Sequence, residues 1–124
     1  MNDKRPVNLD LKTIKFPVSA LASITHRITG IVLFVALPIL LWMLDRSLAS
    51  PESFAELKEC LTSPLAKLVL WGILAALLYH LVAGTKHLVM DLGFALTKES
   101  GHRATIVALV IAVVLILLAG VWVW

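Results

Sequence analysis

The stretch SITHRITG, residues 23–30, gathers side chains that could do chemistry where an apolar segment begins. Ser23, His26 and Arg27 are spaced so that one side of the first helical turns would present a hydroxyl, an imidazole and a guanidinium. An arginine stays charged and donates hydrogen bonds, which suits the acidic groups of a cofactor or the carbonyl oxygen of a substrate. The alternatives are that Arg27 extends to lipid phosphates and that Gly30 only permits close helix packing.

A second stretch, YHLVAGTKHLVMD at residues 79–91, places two histidines inside a long apolar run. His80 and His87 are seven residues apart, which at about 3.6 residues per turn puts them on one helix face, two turns apart. Gly84 lies near the same stripe and leaves room for something flat against the helix. Histidine is a common metal ligand, so a haem fits this arrangement.

Depth separates the two histidines. If the helix ends near Met90, His80 lies roughly 15 Å from that end and His87 about 5 Å, at about 1.5 Å per residue. A mid-membrane imidazole needs a polar partner, which could be a metal or a serine or threonine of a neighbouring helix. Lys86, His87 and Asp91 could instead sit where lysine snorkels and charges meet water.

The composition predicts an all-α membrane protein. Of the 124 residues, 60% are hydrophobic, and the mean hydropathy of +0.93 is far above what one soluble core needs. Each of three apolar runs of about 20 residues could span a hydrocarbon core of roughly 30 Å. The net charge of +3 comes without a nucleic-acid motif or a dense basic and aromatic stripe, so no nucleic-acid partner is expected.

The chain divides into a predicted N-terminal segment at residues 1–18 and a three-helix transmembrane domain at residues 19–124. The N-terminal segment is polar and lacks the apolar core and cleavage site of a secretory signal. The stretch SPESFAEL after the first span predicts a short surface helix capped by Ser50 or Ser53. The predicted spans are about 19–48, 64–91 and 103–124.

Charge sets the predicted orientation, because basic residues favour the cytoplasmic side. Lysines and arginines precede the first span and recur between the second and third, whereas the loop after the first span is acidic. We therefore predict a multi-pass protein of the bacterial inner membrane with a cytoplasmic N-terminus and a periplasmic C-terminus. The tryptophans then fall in the outward-facing half as an interfacial belt and nothing more: Trp42, Trp71, Trp122 and Trp124.

Three blocks in order, RPVNLDL, SITHRITG and HLVAGTKHLVMD, resemble the cytochrome b membrane-anchor subunits of succinate dehydrogenase, respiratory complex II. The resemblance runs from Arg5 through Trp124 and includes the length and the three-helix layout. A lone S-x-x-H-R would be weak, but two blocks about fifty residues apart on the expected helices are specific. The resemblance implies one half of a heterodimeric helix bundle, completed by a second three-helix anchor, and partnership with an iron–sulfur subunit and a flavoprotein.

The resemblance also implies residue roles. His80 would be an axial ligand of a haem b shared with the second anchor, whose own histidine would be the other ligand. Ser23, Ile24 and Arg27 would line a ubiquinone pocket. The haem pocket and its propionates would be contacted by His26, Arg27, His80, Gly84 and His87. The chain alone would catalyse nothing, since succinate is oxidised in the partner subunits.

One position departs from the family pattern. Lys86 stands where the family usually has arginine, and lysine cannot make the planar bidentate contact of a guanidinium. A propionate contact there would be weaker or lie elsewhere.

Two rival functions stay open. The first is the anchor of a fumarate reductase or another quinone-linked oxidoreductase. The second is a proton-coupled transporter or an assembly protein that uses His80 and His87 as a relay. The lack of paired broken half-helices weakens the transporter interpretation.

Overall fold

Residues 17–124 are described by this computed structural model, and they form four helices: α1 Val18–Ala49, α2 Pro51–Cys60, α3 Pro64–Asp91 and α4 Lys98–Val123. By length and composition, α1, α3 and α4 could each cross a membrane. No strand occurs within the described range. The predicted all-α fold with three spanning helices is therefore confirmed, while residues 1–16 of the predicted N-terminal segment lie outside the described residues.

Serine caps begin the two helices in the middle of the chain. The Ser50 hydroxyl accepts a hydrogen bond of 3.0 Å from the Ser53 amide, and Pro51 takes the first helical position of α2. The predicted surface helix is thus present, with Ser50 rather than Ser53 as its cap. At the start of α3, Ser63 accepts in the same way from the Ala66 amide at 3.2 Å.

The turn between α3 and α4 is tighter than the spacing of apolar residues predicts. α3 ends where Gly93 adopts a φ of 100°, and the Gly93 amide donates to the Met90 carbonyl at 3.0 Å. α4 begins at Lys98 rather than near residue 103, because Thr97 accepts from the Ser100 amide at 3.0 Å and Ser100 accepts from the Thr97 amide at 3.1 Å.

α3 lies at the centre of the bundle and packs against both α1 and α4. Small side chains dominate what is buried, which lets the helix backbones approach closely, as in membrane bundles. Large apolar side chains instead point outward, as Phe34 does at 78% exposure, so the outer surface suits lipid or another apolar chain. The buried alanines are Ala22, Ala36, Ala76, Ala83 and Ala112.

Trp71 does more than the predicted interfacial belt requires. Its Nε1 donates a hydrogen bond of 2.8 Å to the Ile116 carbonyl of α4. A Cβ on Gly120 would come within 3.0 Å of the same indole, so glycine is what allows the ring to lie against α4. The belt interpretation is therefore incomplete for Trp71, which joins two helices.

Candidate functional site

Three histidines meet where α1 crosses α3. The rings of His26 and His80 are stacked, with centroids 4.0 Å apart and planes inclined by 12°. His87 presents its ring edgewise to His26, with centroids 5.4 Å apart. The helical spacing predicted that His80 and His87 share a face, and the fold adds His26 from the opposite helix.

The contacts of His80 favour one of its two neutral tautomers. Its Nδ1 lies 3.1 Å from the His26 carbonyl oxygen and 3.1 Å from the Thr29 hydroxyl. A carbonyl oxygen can only accept, so this contact is a hydrogen bond when Nδ1 is the protonated nitrogen. Thr29 donates its own proton to the His26 carbonyl at 2.8 Å, which leaves its oxygen free to accept. The Nε2 of His80 then carries a lone pair.

The sequence left two interpretations of His80 open, a metal ligand or an interhelical hydrogen bond to a hydroxyl. The hydrogen-bond arrangement is present, with Thr29 as the partner. It engages only Nδ1, and metal-binding histidines commonly donate their second nitrogen to a carbonyl or a carboxylate in this way. The two roles are therefore compatible in one side chain.

His26 contributes a buried polar atom without a partner. Its Nε2 is inaccessible and has no hydrogen-bond partner among residues 17–124. Leaving such a group unpaired costs about 1–3 kcal/mol, so a further polar group is expected beside it. A nearby charged or hydrogen-bonding group of a bound molecule would meet that need.

Glycines on both helices make room for the imidazoles. A Cβ on Gly30 would lie 3.2 Å from Cε1 of His80, and a Cβ on Gly84 would lie 3.3 Å from Nε2 of His26. Each glycine therefore faces the histidine of the opposite helix, and either Cβ would crowd a ring. Gly30 does permit a close approach between α1 and α3, as the alternative interpretation expected. The group that approaches it is the ring of His80, the candidate iron ligand.

The proposed quinone residues lie apart from the histidine cluster on the same turns of α1. Arg27 and Ile24 are exposed and Ser23 is half-buried, whereas His26 is turned toward α3. Neighbouring residues of the SITHRITG motif therefore face different surroundings. The arrangement offers a guanidinium, a hydroxyl and an apolar side chain on an open surface beside the imidazoles.

Lys86 does not snorkel, which corrects the expectation for the end of α3. It is only 9% exposed, and its Nζ donates to the Thr105 hydroxyl of α4 at 3.2 Å. The reason is its angular position, which turns Lys86 toward α4 while His87 faces α1. The position where relatives are expected to carry arginine thus meets the helix on the other side of α3.

Two contributors to this site escaped the sequence reasoning. Thr29 was not among the predicted site residues, although its hydroxyl lies 3.1 Å from Nδ1 of His80, and its place three residues after His26 was the available signal. Tyr79 donates its hydroxyl to the Ala22 carbonyl at 2.9 Å and ties α3 to α1 one turn before His26. No sequence signal identified that acceptor, because every residue type carries the same backbone carbonyl.

The histidines fit a haem better than a bare ion. No group of three or more histidine, cysteine, aspartate or glutamate side chains within residues 17–124 is arranged to hold a metal ion. An axial haem ligand requires only one nitrogen, and His80 has one. Nε2 of His26 lacks a partner among the described residues, and an acidic substituent of a haem could supply one.

Comparison with known proteins identifies the family. The sequence matches the family described as succinate dehydrogenase/fumarate reductase transmembrane subunit over residues 1–120. It is 46% identical to the succinate dehydrogenase cytochrome b556 subunit of Coxiella burnetii over 125 residues, covering 100% of both chains. The chain belongs to this family. The resemblance inferred from the two histidine-bearing blocks is thereby confirmed.

More distant relatives agree with this membership. The cytochrome b556 subunit of Paracoccus denitrificans is 36% identical over 101 residues, which cover 82% of this chain and 78% of the relative. The cytochrome b560 subunit of Reclinomonas americana is 34% identical over 126 residues, which cover 98% and 88%. A family member of this kind is a non-catalytic membrane subunit of an oxidoreductase, so the expectation that the chain alone catalyses nothing fits.

Proposed function

We propose that this chain anchors a succinate:ubiquinone oxidoreductase in the membrane, holds one haem b together with a second anchor subunit, and lines the ubiquinone-reduction site. The observation that carries the proposal is the unequal use of the two ring nitrogens of His80. Its Nδ1 is committed to the His26 carbonyl and Thr29, and its Nε2 is left as a lone-pair donor among two further imidazoles. That is the chemical state an iron ligand needs.

Each residue of the cluster has a part in this proposal. His80 would hold the haem iron through Nε2, and Thr29 would keep its ring in one orientation. His26 and His87 would offer ring nitrogens to the propionates, and the lack of a Cβ on Gly84 leaves room for the His26 ring. A histidine of the partner anchor would hold the iron from the other side of the haem. When bound, the haem supplies reversible one-electron exchange.

The quinone site uses the exposed side of the same helical turns. Ser23 donates a hydrogen bond to a quinone carbonyl, and Ile24 provides an apolar wall. The Arg27 guanidinium stabilises the negative charge that the carbonyl oxygen gains during reduction. Its exposure in this chain supports a role toward a molecule outside the three-helix bundle.

The orientation follows from charge. Lys98 and Arg103 lie in the first turns of α4, around a pocket that Pro17 and Ser19 at the start of α1 also line, whereas α2 at the other end carries three glutamates. The basic end is proposed to be cytoplasmic, where the iron–sulfur and flavoprotein subunits deliver electrons from succinate. The proposed location is the bacterial inner membrane, with the C-terminus on the periplasmic side.

The family includes fumarate reductase subunits, so the direction of electron flow is the main alternative. A proton relay is less well supported. The rings of His26 and His80 stack face to face, and the ring nitrogen of His80 bonds to Thr29 and a carbonyl rather than to another imidazole. A relay requires proton-donating contacts between successive groups.

The haem assignment can be tested with His80→Ala in the purified complex. The reduced-minus-oxidised absorbance spectrum should lose its b-type band, or show a shifted band if another imidazole replaces the ligand. His102→Ala is the matched control, because His102 is exposed at the start of α4 and away from the cluster. An unaltered b-type band with alanine at residue 80 would contradict the assignment.

The quinone assignment can be tested with Arg27→Ala. Loss of a charge-assisted hydrogen bond should lower succinate:ubiquinone reductase activity about tenfold to hundredfold, since such bonds contribute about 1.5–3 kcal/mol. Succinate oxidation with an artificial acceptor should be unchanged. Arg46→Ala, at the opposite end of α1 and paired with Glu56, is the control. Equal loss of both activities would rule out a role at the quinone.

A further inference from the structure

A groove lies between α3 and α4 on the side of α3 opposite the histidines. Its volume is about 410 Å³. Thr85 and Val89 line it from α3, and at about 3.6 residues per turn they point away from the face that carries His80. Leu81, Val107 and Ile111 form apolar walls that are 55%, 56% and 46% exposed. The groove is thus open, apolar and separate from the proposed haem and quinone sites.

Lys86 lines this groove and carries a charge that the described residues do not balance. Its Nζ donates a hydrogen bond to the Thr105 hydroxyl, which in turn donates to the Gly101 carbonyl at 2.9 Å. Thr105 is therefore a neutral partner and does not balance the charge of Lys86. Within residues 17–124 the ion pair joins Arg46 to Glu56, and no carboxylate reaches Lys86. An ammonium has three donors, and the Thr105 hydroxyl accepts from one of them. The two remaining donors and the positive charge would be satisfied by an anionic acceptor.

The depth of Lys86 identifies the kind of anion. α3 has 28 residues, which at about 1.5 Å per residue is about 42 Å, so each end extends about 6 Å beyond a hydrocarbon core of roughly 30 Å. Lys86 lies five residues before the last residue of α3, or about 7 to 8 Å along the axis. Its position therefore coincides with the boundary where the acyl chains of a lipid meet its phosphate.

We propose that this groove binds an anionic phospholipid, with an acyl chain along the apolar walls and the phosphate against the Lys86 ammonium. The apolar walls of the groove suit an acyl chain, and the buried Lys86 cation at headgroup depth suits a phosphate. Arg103 directly precedes the groove residue Ala104 and adds positive charge at the same end. Ordered lipid would also complete the packing between the two outer faces of α3 and α4.

The test is native mass spectrometry of the purified complex titrated with phosphatidylglycerol and, separately, with phosphatidylcholine of the same chains. The unsubstituted complex should retain phosphatidylglycerol preferentially. Lys86→Met should weaken that binding about fivefold, the factor expected for one lysine at an anionic lipid surface. Lys86→Arg should preserve it, since the charge remains. Lys98→Met is the control, because it removes an exposed lysine outside the groove.

A second variant keeps the proposal testable if Lys86→Met impairs assembly. Val107→Trp should fill the groove without altering its charge and should also reduce phosphatidylglycerol binding. Equal binding of the two lipids, or no effect of Val107→Trp, would overturn the proposal. So would a Val107→Cys cross-link to another subunit in a Cys60→Ser background, because the groove would then be a subunit interface. The experiment does not depend on haem or quinone and can fail independently of them.

Discussion

The two faces of α3 use similar hydrogen bonds to different ends. Toward α4, Trp71 donates to the Ile116 carbonyl, and that indole nitrogen is thereby satisfied. Toward α1, His80 bonds to Thr29 and to the His26 carbonyl, yet an imidazole nitrogen of His26 is left buried without a partner among the described residues. The α3–α4 contact near Trp71 is complete in itself, whereas the α1–α3 contact is incomplete.

That difference distinguishes a contact that stabilises the helix bundle from one that is proposed to bind a cofactor. An interhelical hydrogen bond with both partners satisfied stabilises a membrane bundle modestly, at about 0.6–2 kcal/mol. The buried, unpaired nitrogen of His26 costs stability, and under the proposed function a bound haem would relieve that cost. Substitutions on the α1–α3 side should therefore change cofactor properties first, and substitutions at Trp71 should change stability first.

The largest expected effect that separates the two faces comes from Thr29→Val. Removing the hydroxyl that touches Nδ1 of His80 should weaken haem retention about tenfold, the lower range for loss of a group that orients a metal-binding histidine. The measurement is haem content of the purified complex after dilution, together with its midpoint potential. Thr25→Val is the control, because Thr25 is exposed and bonds the Leu21 carbonyl of its own helix. Identical haem retention in both variants would remove Thr29 from the site.

Trp71→Phe should act on stability and leave the haem spectrum unchanged. Loss of the indole donor leaves the Ile116 carbonyl with its helical bond alone, and the free energy of unfolding should fall by about 1 kcal/mol. Thermal unfolding of the purified complex in detergent measures this, with Trp42→Phe as an exposed control. A shifted haem band in Trp71→Phe would mean that the two faces are coupled and that the division proposed here is wrong.

Gly30→Ala should give the smallest effect, confined to the spectrum. Alanine favours a helix by up to about 1 kcal/mol over glycine, while its Cβ would press on Cε1 of His80 from 3.2 Å. The gain in helix propensity and the crowding of His80 have opposite effects on stability, but only the crowding tilts the His80 ring. We expect a small shift in the electron paramagnetic resonance signal of the haem. Gly72→Ala has open space around its Cβ and should leave that signal unaltered.

Much of the architecture was predictable because a membrane constrains a chain strongly. Backbone polar groups must be satisfied within each helix, so long apolar runs could only be spans. The cap at Ser50 and the shared face of His80 and His87 follow from local chemistry and helical periodicity. The start of α4 was missed, because the polar first turn created by Thr97 and Ser100 hides a helix from a hydropathy pattern.

The candidate site divides in the same way. Its residue types and their spacing along each helix are local properties, and they were enough to select the histidines, the arginine and the glycine between them. How His26 meets His80 depends on how α1 crosses α3. Spacing within one helix carries no information about that crossing angle.

Hydropathy, charge and periodicity along the chain thus account for the three candidate spans and the two blocks that carry the candidate site residues. Only the packed structure decided that Lys86 turns to Thr105, that Trp71 bonds a carbonyl of α4, and that Nδ1 of His80 is the occupied nitrogen. The physical reason is common to all three. Each depends on an acceptor supplied by another helix, and two of those acceptors are backbone carbonyls that every residue type provides equally.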